Sequence, residues 1–241
     1  MDEKMKLWQG AMKTDPAYTK EYSGAGGYSG TSINGHYMVM RATEAFGPIG
    51  IGWGYEVLEE RYDTGHPLLF DAEGNETLRS MSHVLKLKLW YMMGEKRGEV
   101  VHFGITPYIS RNKHGPTSDP EAPKKSLTDA LKKCLSMLGF GADVYLGQFD
   151  DISYVQAVAG EFGIEKAENK DEEIERQRQE YISKMAKYAE QIKSSVTKTE
   201  LMALKKEAVR KAGYRNDTAS VRRLEQIAEE RLKELEEKNN A

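Results

Sequence analysis

Between Leu127 and Leu138 the apolar residues Leu127, Ala130, Leu131, Cys134, Leu135 and Leu138 recur at i, i+3, i+4, i+7, i+8 and i+11. That is the period of a helix burying one side. Upstream, from Met81 to Tyr91, the period is two: His83, Leu85, Leu87, Leu89 and Tyr91 share one face, and Val84, Lys86, Lys88 and Trp90 the other. A half-buried strand followed by a one-sided helix has to pack helix on sheet, so the fold class expected is α+β.

The neighbouring segments fill in this plan. Met38, Val39, Ala42, Ala45 and Phe46 fall at helical spacing and predict a short amphipathic helix over 36–46, closed by Gly47-Pro48. Trp53, Tyr55 and Val57 alternate as a strand, and a second short strand is expected around Leu68 to Phe70, ended by the turn residues Asp71 to Asn75. After Met81–Tyr91, the polar turn Gly94 to Gly98 leads into Glu99–Ile105, which completes an antiparallel meander. Asp119-Pro120 has the pattern of a helix cap followed by proline in the first turn, and Gly139 can supply the left-handed stop of the long helix. Residues 1–32 hold Trp8 and Tyr18 but little periodicity. With the run Gly24-Ala25-Gly26-Gly27-Tyr28-Ser29-Gly30 they are expected to form a loop-rich, glycine-rich arm.

Beyond Asp151 the chain turns polar, and long helices are expected at about Glu165–Lys193, Lys198–Ala212 and Thr218–Glu237. Thr197 with Glu200 makes a capping-box pattern, and the break from Gly213 to Asp217 lets the last two helices form a hairpin. The organisation expected is therefore an arm over 1–32, a core domain over 33–151 and an all-helical region over 152–241.

Composition narrows the function. The single cysteine, Cys134, excludes an internal disulfide framework and lies on the apolar helix face as a packed thiol. The start of the chain leads into no apolar run, and no stretch approaches the roughly 20 apolar residues of a membrane span, so a soluble protein of a reducing compartment is expected. No Gly-Lys-Ser/Thr phosphate loop is present, the five histidines form no i, i+4 pair, and no nucleophile motif stands out. Neither an enzyme nor a bound metal or other cofactor is expected. A magnesium-dependent nuclease using Asp129, Asp143 and Asp150 remains an alternative reading.

With 35 basic against 38 acidic residues, any nucleic-acid site has to be a local concentration of lysine and arginine. Two places qualify. Lys124, Lys125, Lys132 and Lys133 lie within about three turns of the long helix, either as a strip for phosphates or as a solvated face. Lys86 and Lys88 with Trp90 interleave cations and an aromatic on one strand face, which suits backbone contact with base stacking and equally suits lysines snorkelling from a buried face.

Two blocks then carry a resemblance. Ile33-Asn34-Gly35-His36, continuing through Ala42 to Phe46-Gly47 and Gly50-Ile51-Gly52-Trp53, is similar to the start of the annealing domain of the Rad fifty-two family of recombination proteins. Thr128-Asp129-Ala130-Leu131-Lys132-Lys133-Cys134-Leu135, followed by Leu138-Gly139, resembles that family's second conserved helix, at a comparable distance and after a comparable meander. The style of the arm, with Thr14-Asp15-Pro16 and Thr31-Ser32-Ile33, looks most like the bacteriophage branch.

The resemblance implies a homo-oligomeric ring that holds single-stranded DNA in a basic groove and anneals complementary strands without ATP, in recombination and repair, in the cytoplasm of a bacterial host. Lys132 and Lys133 match the adjacent basic pair on the family's groove helix. Ser136 stands where another arginine is usual, which turns attention to Arg41, Lys86, Lys88 and Lys125. Tyr37 occupies a position that is basic in eukaryotic members, with a ring that either stacks on a base or packs. Lys113 lies near a basic residue assigned to a second DNA site. The helical tail would brace the ring or bind a partner such as a recombination exonuclease or a single-strand-binding protein. An oligomeric adaptor that only recruits partners is the rival outside DNA chemistry.

Overall fold

A computed structural model describes residues 3–23, 27 and 29–239, with side chains as far as Glu237. The chain forms two compact units: residues up to Thr14 with Tyr18–Gly147, and Asp15–Ala17 with the chain from Gln148 onward.

The first unit is α+β. It contains α1 (Lys6–Ala11), β1 (Thr19–Ser23), β2 (Ser29–Ile33), α2 (Gly35–Phe46), β3 (Trp53–Phe70), β4 (Glu76–Met93), β5 (Lys96–Asn112), β6 (Gly115–Ser118), α3 (Ala122–Ser136) and the one-turn α4 (Ala142–Tyr145). Strands β3 to β6 make one antiparallel sheet in sequence order. Strand β4 places Leu85, Leu87 and Leu89 toward α3, whose Ala130, Cys134 and Leu135 meet them in a core shared with Met38 and Ala42 of α2, Trp53 and Phe140. Leu87, Leu89 and Leu135 are fully buried, and each contributes roughly 1.5–3 kcal/mol relative to exposure. Gly104 of β5 lets α3 approach: a Cβ there would stand 1.9 Å from the Ser126 carbonyl oxygen.

Several elements depart from expectation. The strands foreseen at Trp53 and at Leu68 are one continuous strand, β3. Register shifts between Val57 and Glu59 and between Thr64 and Pro67 break its alternation, and its outer position in the sheet order makes Pro67 tolerable. Asp119 does not cap α3. Glu121 takes that place without a side-chain bond, while the Asp119 carboxylate accepts the Glu121 N–H and pairs with Lys125. Gly139 does end the helix, with φ +98°, the Phe140 N–H reaching the Leu135 carbonyl and the Gly139 N–H that of Ser136.

The arm is not a loop. It holds α1 and the β1–β2 hairpin, because buried Asp143 accepts both the Thr14 N–H (2.8 Å) and the Thr14 hydroxyl (2.7 Å), while the N–H groups of Gly141 and Asp143 bind the carbonyls of Ala11 and Met12. Thr14 and Asp143 lie 129 residues apart and leave no local signal. Of the glycine-rich run, Gly24, Ala25, Gly26 and Tyr28 lie outside the described residues.

The second unit is helical: α5 (Ile152–Lys166), α6 (Lys170–Ser194), α7 (Lys198–Tyr214) and α8 (Thr218–Asn239). Helix α5 was not foreseen, and α6 begins five residues later than expected, at Lys170. Apolar residues surround α5 on all sides, so it shows no one-sided stripe. Met185, Tyr188, Ile192, Leu201, Ala208, Ala212, Leu224 and Ile227 join α6, α7 and α8 in one core. Helices α7 and α8 form the expected hairpin across Arg215–Asp217. Thr197 caps α7 by accepting the Glu200 N–H, and Glu200 returns a bond to the Val196 N–H. Among the described residues no helix is long and apolar enough to cross a membrane.

Candidate nucleic-acid interface

Helix α3 is amphipathic by construction. With Ser126, Ala130 and Cys134 buried against β4 and β5, and Leu127 and Leu131 packed on the same core, the polar residues between them face away from the sheet. That outer face carries Lys125, Asp129, Lys132, Lys133 and Ser136.

The four lysines of this helix are not equivalent. Lys124 is held by Glu121 at 2.9 Å, and Lys125 by Asp119 at 2.5 Å. The Lys125 hydrogen bond keeps the Asp119 carboxyl below its usual range. Lys133 is exposed, with its ammonium 5.9 Å from the centre of the Tyr145 ring, and no carboxylate forms an ion pair with it among the described residues. Lys132 is half-buried. Burial lowers its pKa against the opposing charge of Asp129, and the nearby Lys133 lowers it further. A partly dehydrated cation beside a second one is a favourable setting for an anion, because an arriving phosphate relieves both burdens.

Tyr145 belongs to this site and was missed in the sequence. The residue is 45% exposed, while burial of its hydroxyl, together with the charge of Asp129, pushes that group up to about 12. The ring therefore presents a neutral face next to Lys133, the pairing that single-strand binding uses for backbone and base. Nothing in the Phe140–Tyr145 segment signals this, since α4 is placed by the turn at Gly139 and Gly141 and by the bonds of Asp143 to Thr14 and Met12, far away in sequence.

Lys86 and Lys88 lie on the other side of the sheet. They alternate with Leu85, Leu87 and Leu89, which face α3, so the two basic clusters foreseen in the sequence point in opposite directions. Lys88 is bound to Glu56 at 2.9 Å and stands 3.9 Å from Glu99. Its hydrogen bond holds the Glu56 carboxyl low. Lys86 sits 5.6 Å from the Phe103 ring, and Arg97 covers Trp90 at 4.9 Å. This face has the expected cations and aromatics, but carboxylates already neutralise much of its charge.

The remaining candidates are dispersed. Arg41 donates to the Gly10 carbonyl at 3.0 Å and pairs with Glu44 at 3.2 Å, so it anchors α1 to α2. Tyr37 is buried and stacked on Tyr18 at 4.6 Å, which is the packing role of the two left open. Lys113 is exposed in the β5–β6 turn. Asp143, one of the carboxylates of the nuclease reading, is fully buried and engaged by Thr14. No family model matches the sequence, and no curated protein matches it at a significant level.

Proposed function

We propose that this protein binds single-stranded DNA along its phosphate backbone and anneals complementary strands without a nucleotide cofactor, working as a homo-oligomer. The observation that carries the reading is the outer face of α3, where half-buried Lys132 neighbours exposed Lys133, whose ammonium lies against the partly exposed Tyr145. Cations that grip phosphates do not read sequence, and they leave base edges free to find a complement. The energy released is that of base pairing, so no catalytic group is needed. Of the two sequence blocks that resemble the Rad fifty-two family, the second lies on this helix, and the pair supports the same reading.

Self-assembly is supported by the sheet. Val101, Phe103 and Ile105 of β5 are 46%, 41% and 57% exposed on the face away from α3, and β6 pairs only with Ile109–Asn112, so among the described residues this stretch of β5 is itself an open edge. An apolar row beside an open edge is a surface that calls for a protein neighbour. Several copies would also align a few cations per chain into a longer track, which answers the slightly acidic net charge.

The direct test is the annealing rate of two complementary dye-labelled oligonucleotides in buffer without ATP or magnesium. Acceleration by catalytically small amounts of protein is the expected result. A folded protein that leaves the rate unchanged overturns the reading in favour of an oligomeric adaptor.

A further inference from the structure

The second unit carries the largest local excess of positive charge in the chain, and the annealing reading does not use it. From Lys205 to Arg223 there are seven basic residues and two acidic ones, in a protein of net charge −3. They gather at one end of the α7–α8 hairpin. Lys206 and Arg210 are exposed and four residues apart on α7, Arg215 lies at the connection, and Arg222 and Arg223 are exposed near the start of α8.

Helix electrostatics accounts for only part of this. Lys211, in the last turn of α7, complements the helix dipole and is held by Glu207 at 2.5 Å and by the Tyr188 hydroxyl at 2.7 Å. Arg222 and Arg223 stand near the positive end of α8, whose first turn has no acidic residue, so the dipole disfavours them there. Among the described residues neither forms an ion pair, and the same holds for Lys206. Arg210 stands 3.6 Å from Asp151, whose carboxylate also accepts the Tyr214 hydroxyl at 2.8 Å.

The surroundings add aromatic faces. Arg215 lies 4.8 Å over the Tyr181 ring, and Tyr214 is 40% exposed. Between α5, α6 and α7 a hollow of about 450 Å³ is lined by Tyr181, Tyr214, Lys184 and Arg215, with Glu173 and Glu180 on its wall as well. The Ser153 hydroxyl is buried and has no hydrogen-bond partner among the described residues. We propose that this end of the helical unit is a second binding site for single-stranded nucleic acid, with Lys206, Arg210, Arg222 and Arg223 on phosphates and Tyr214 against a base. A local excess of cations beside tyrosine rings favours this ligand, since one set holds the backbone and the other stacks. The proposal borrows from the annealing reading only that the ligand is single-stranded.

The test is fluorescence anisotropy of a labelled poly-dT oligonucleotide with the whole chain, titrated over a range of salt concentrations. The variant Lys206→Gln/Arg210→Gln/Arg222→Gln/Arg223→Gln should bind at least about tenfold more weakly at low salt. Its slope of log affinity against log salt should fall by about 3, near 0.7 for each single-strand phosphate that is no longer neutralised. Should that variant lose helicity, Arg222→Gln/Arg223→Gln alone should lower the slope by about 1.5. Lys132→Ala/Lys133→Ala is measured in parallel. Loss of slope in the hairpin variant with the α3 variant unchanged supports this site and removes the one on α3. The reverse pattern overturns the present inference, leaving the patch to an acidic protein partner and the annealing site intact. An unchanged slope in both overturns both.

Discussion

At the residue scale, what separates the lysines of α3 is their company. Lys125 commits its charge to Asp119 at 2.5 Å, whereas Lys132 and Lys133 have no such partner among the described residues. Replacing Lys132 and Lys133 by alanine should therefore weaken DNA binding for all sequences and flatten its salt slope by about 1.4. Asp119→Asn should do the opposite, because asparagine can still accept the Glu121 N–H but no longer holds Lys125. A two- to threefold tighter complex with a slope steeper by about 0.7 is expected in the same anisotropy titration. Equal slopes for Asp119→Asn and the parent protein would take Lys125 off the DNA path. A second residue acts through protons. Burial pushes the Cys134 thiol up to about 11 from 9.0, despite the backbone hydrogen bonds at Leu89 and His102 that pull the other way. The unfolded chain releases this proton near 9.0 while the folded chain keeps it, so in that window the folded state binds more protons and stability falls as pH rises. Thermal melts between about pH 8 and about pH 10.5 should show a larger drop in Tm for the parent than for Cys134→Ala. Parallel pH profiles would show that Cys134 contributes nothing to alkaline sensitivity.

At the element scale, the joint between α3 and the sheet depends on an absent side chain. A Cβ at Gly104 would lie 1.9 Å from the Ser126 oxygen and 2.7 Å from the Ala130 nitrogen, both backbone atoms that cannot swing away. Gly104→Ala should cost about 3 kcal/mol, read as a lower urea midpoint, and it should also disturb the face that carries Lys132 and Lys133. Full stability in that variant would mean that α3 shifts easily along the sheet. The same joint shows why some elements were legible and others were not. Helix α3 and strand β4 each bury mainly one side, so their periods of 3.6 and 2 stand out in the residues. Strand β3 is exposed along most of its length and broken by register shifts, so its middle read as no strand at all. Helix α5 failed for the opposite reason, with apolar residues on every side and no stripe to detect. In the candidate site, Lys132 and Lys133 were visible as an adjacent pair. Tyr145 was not, because its place beside Lys133 is made by two left-handed glycines, Gly139 and Gly141.

At the scale of the whole molecule, the described residues form two cores that share no residue. One is built on Leu85, Leu87, Leu89 and Leu135, the other on Ile192, Leu201, Ala208 and Leu224. Each buries its own apolar faces, so each can lose its packing without removing a side chain from the other. The natural probes fall on opposite sides of this division. All three tryptophans, Trp8, Trp53 and Trp90, belong to the first unit, while the four long helices after Gln148 dominate the helical signal in circular dichroism. Ile192 is completely buried, and Ile192→Ala should cost the helical unit about 3 kcal/mol through reduced burial and the cavity left behind. In a denaturant titration its helical transition should move to lower midpoint while the tryptophan fluorescence transition stays in place. Leu87→Ala should reverse the pattern. If either substitution moves both transitions together, the two units unfold as one cooperative body, and the separate cores do not act as separate units of stability.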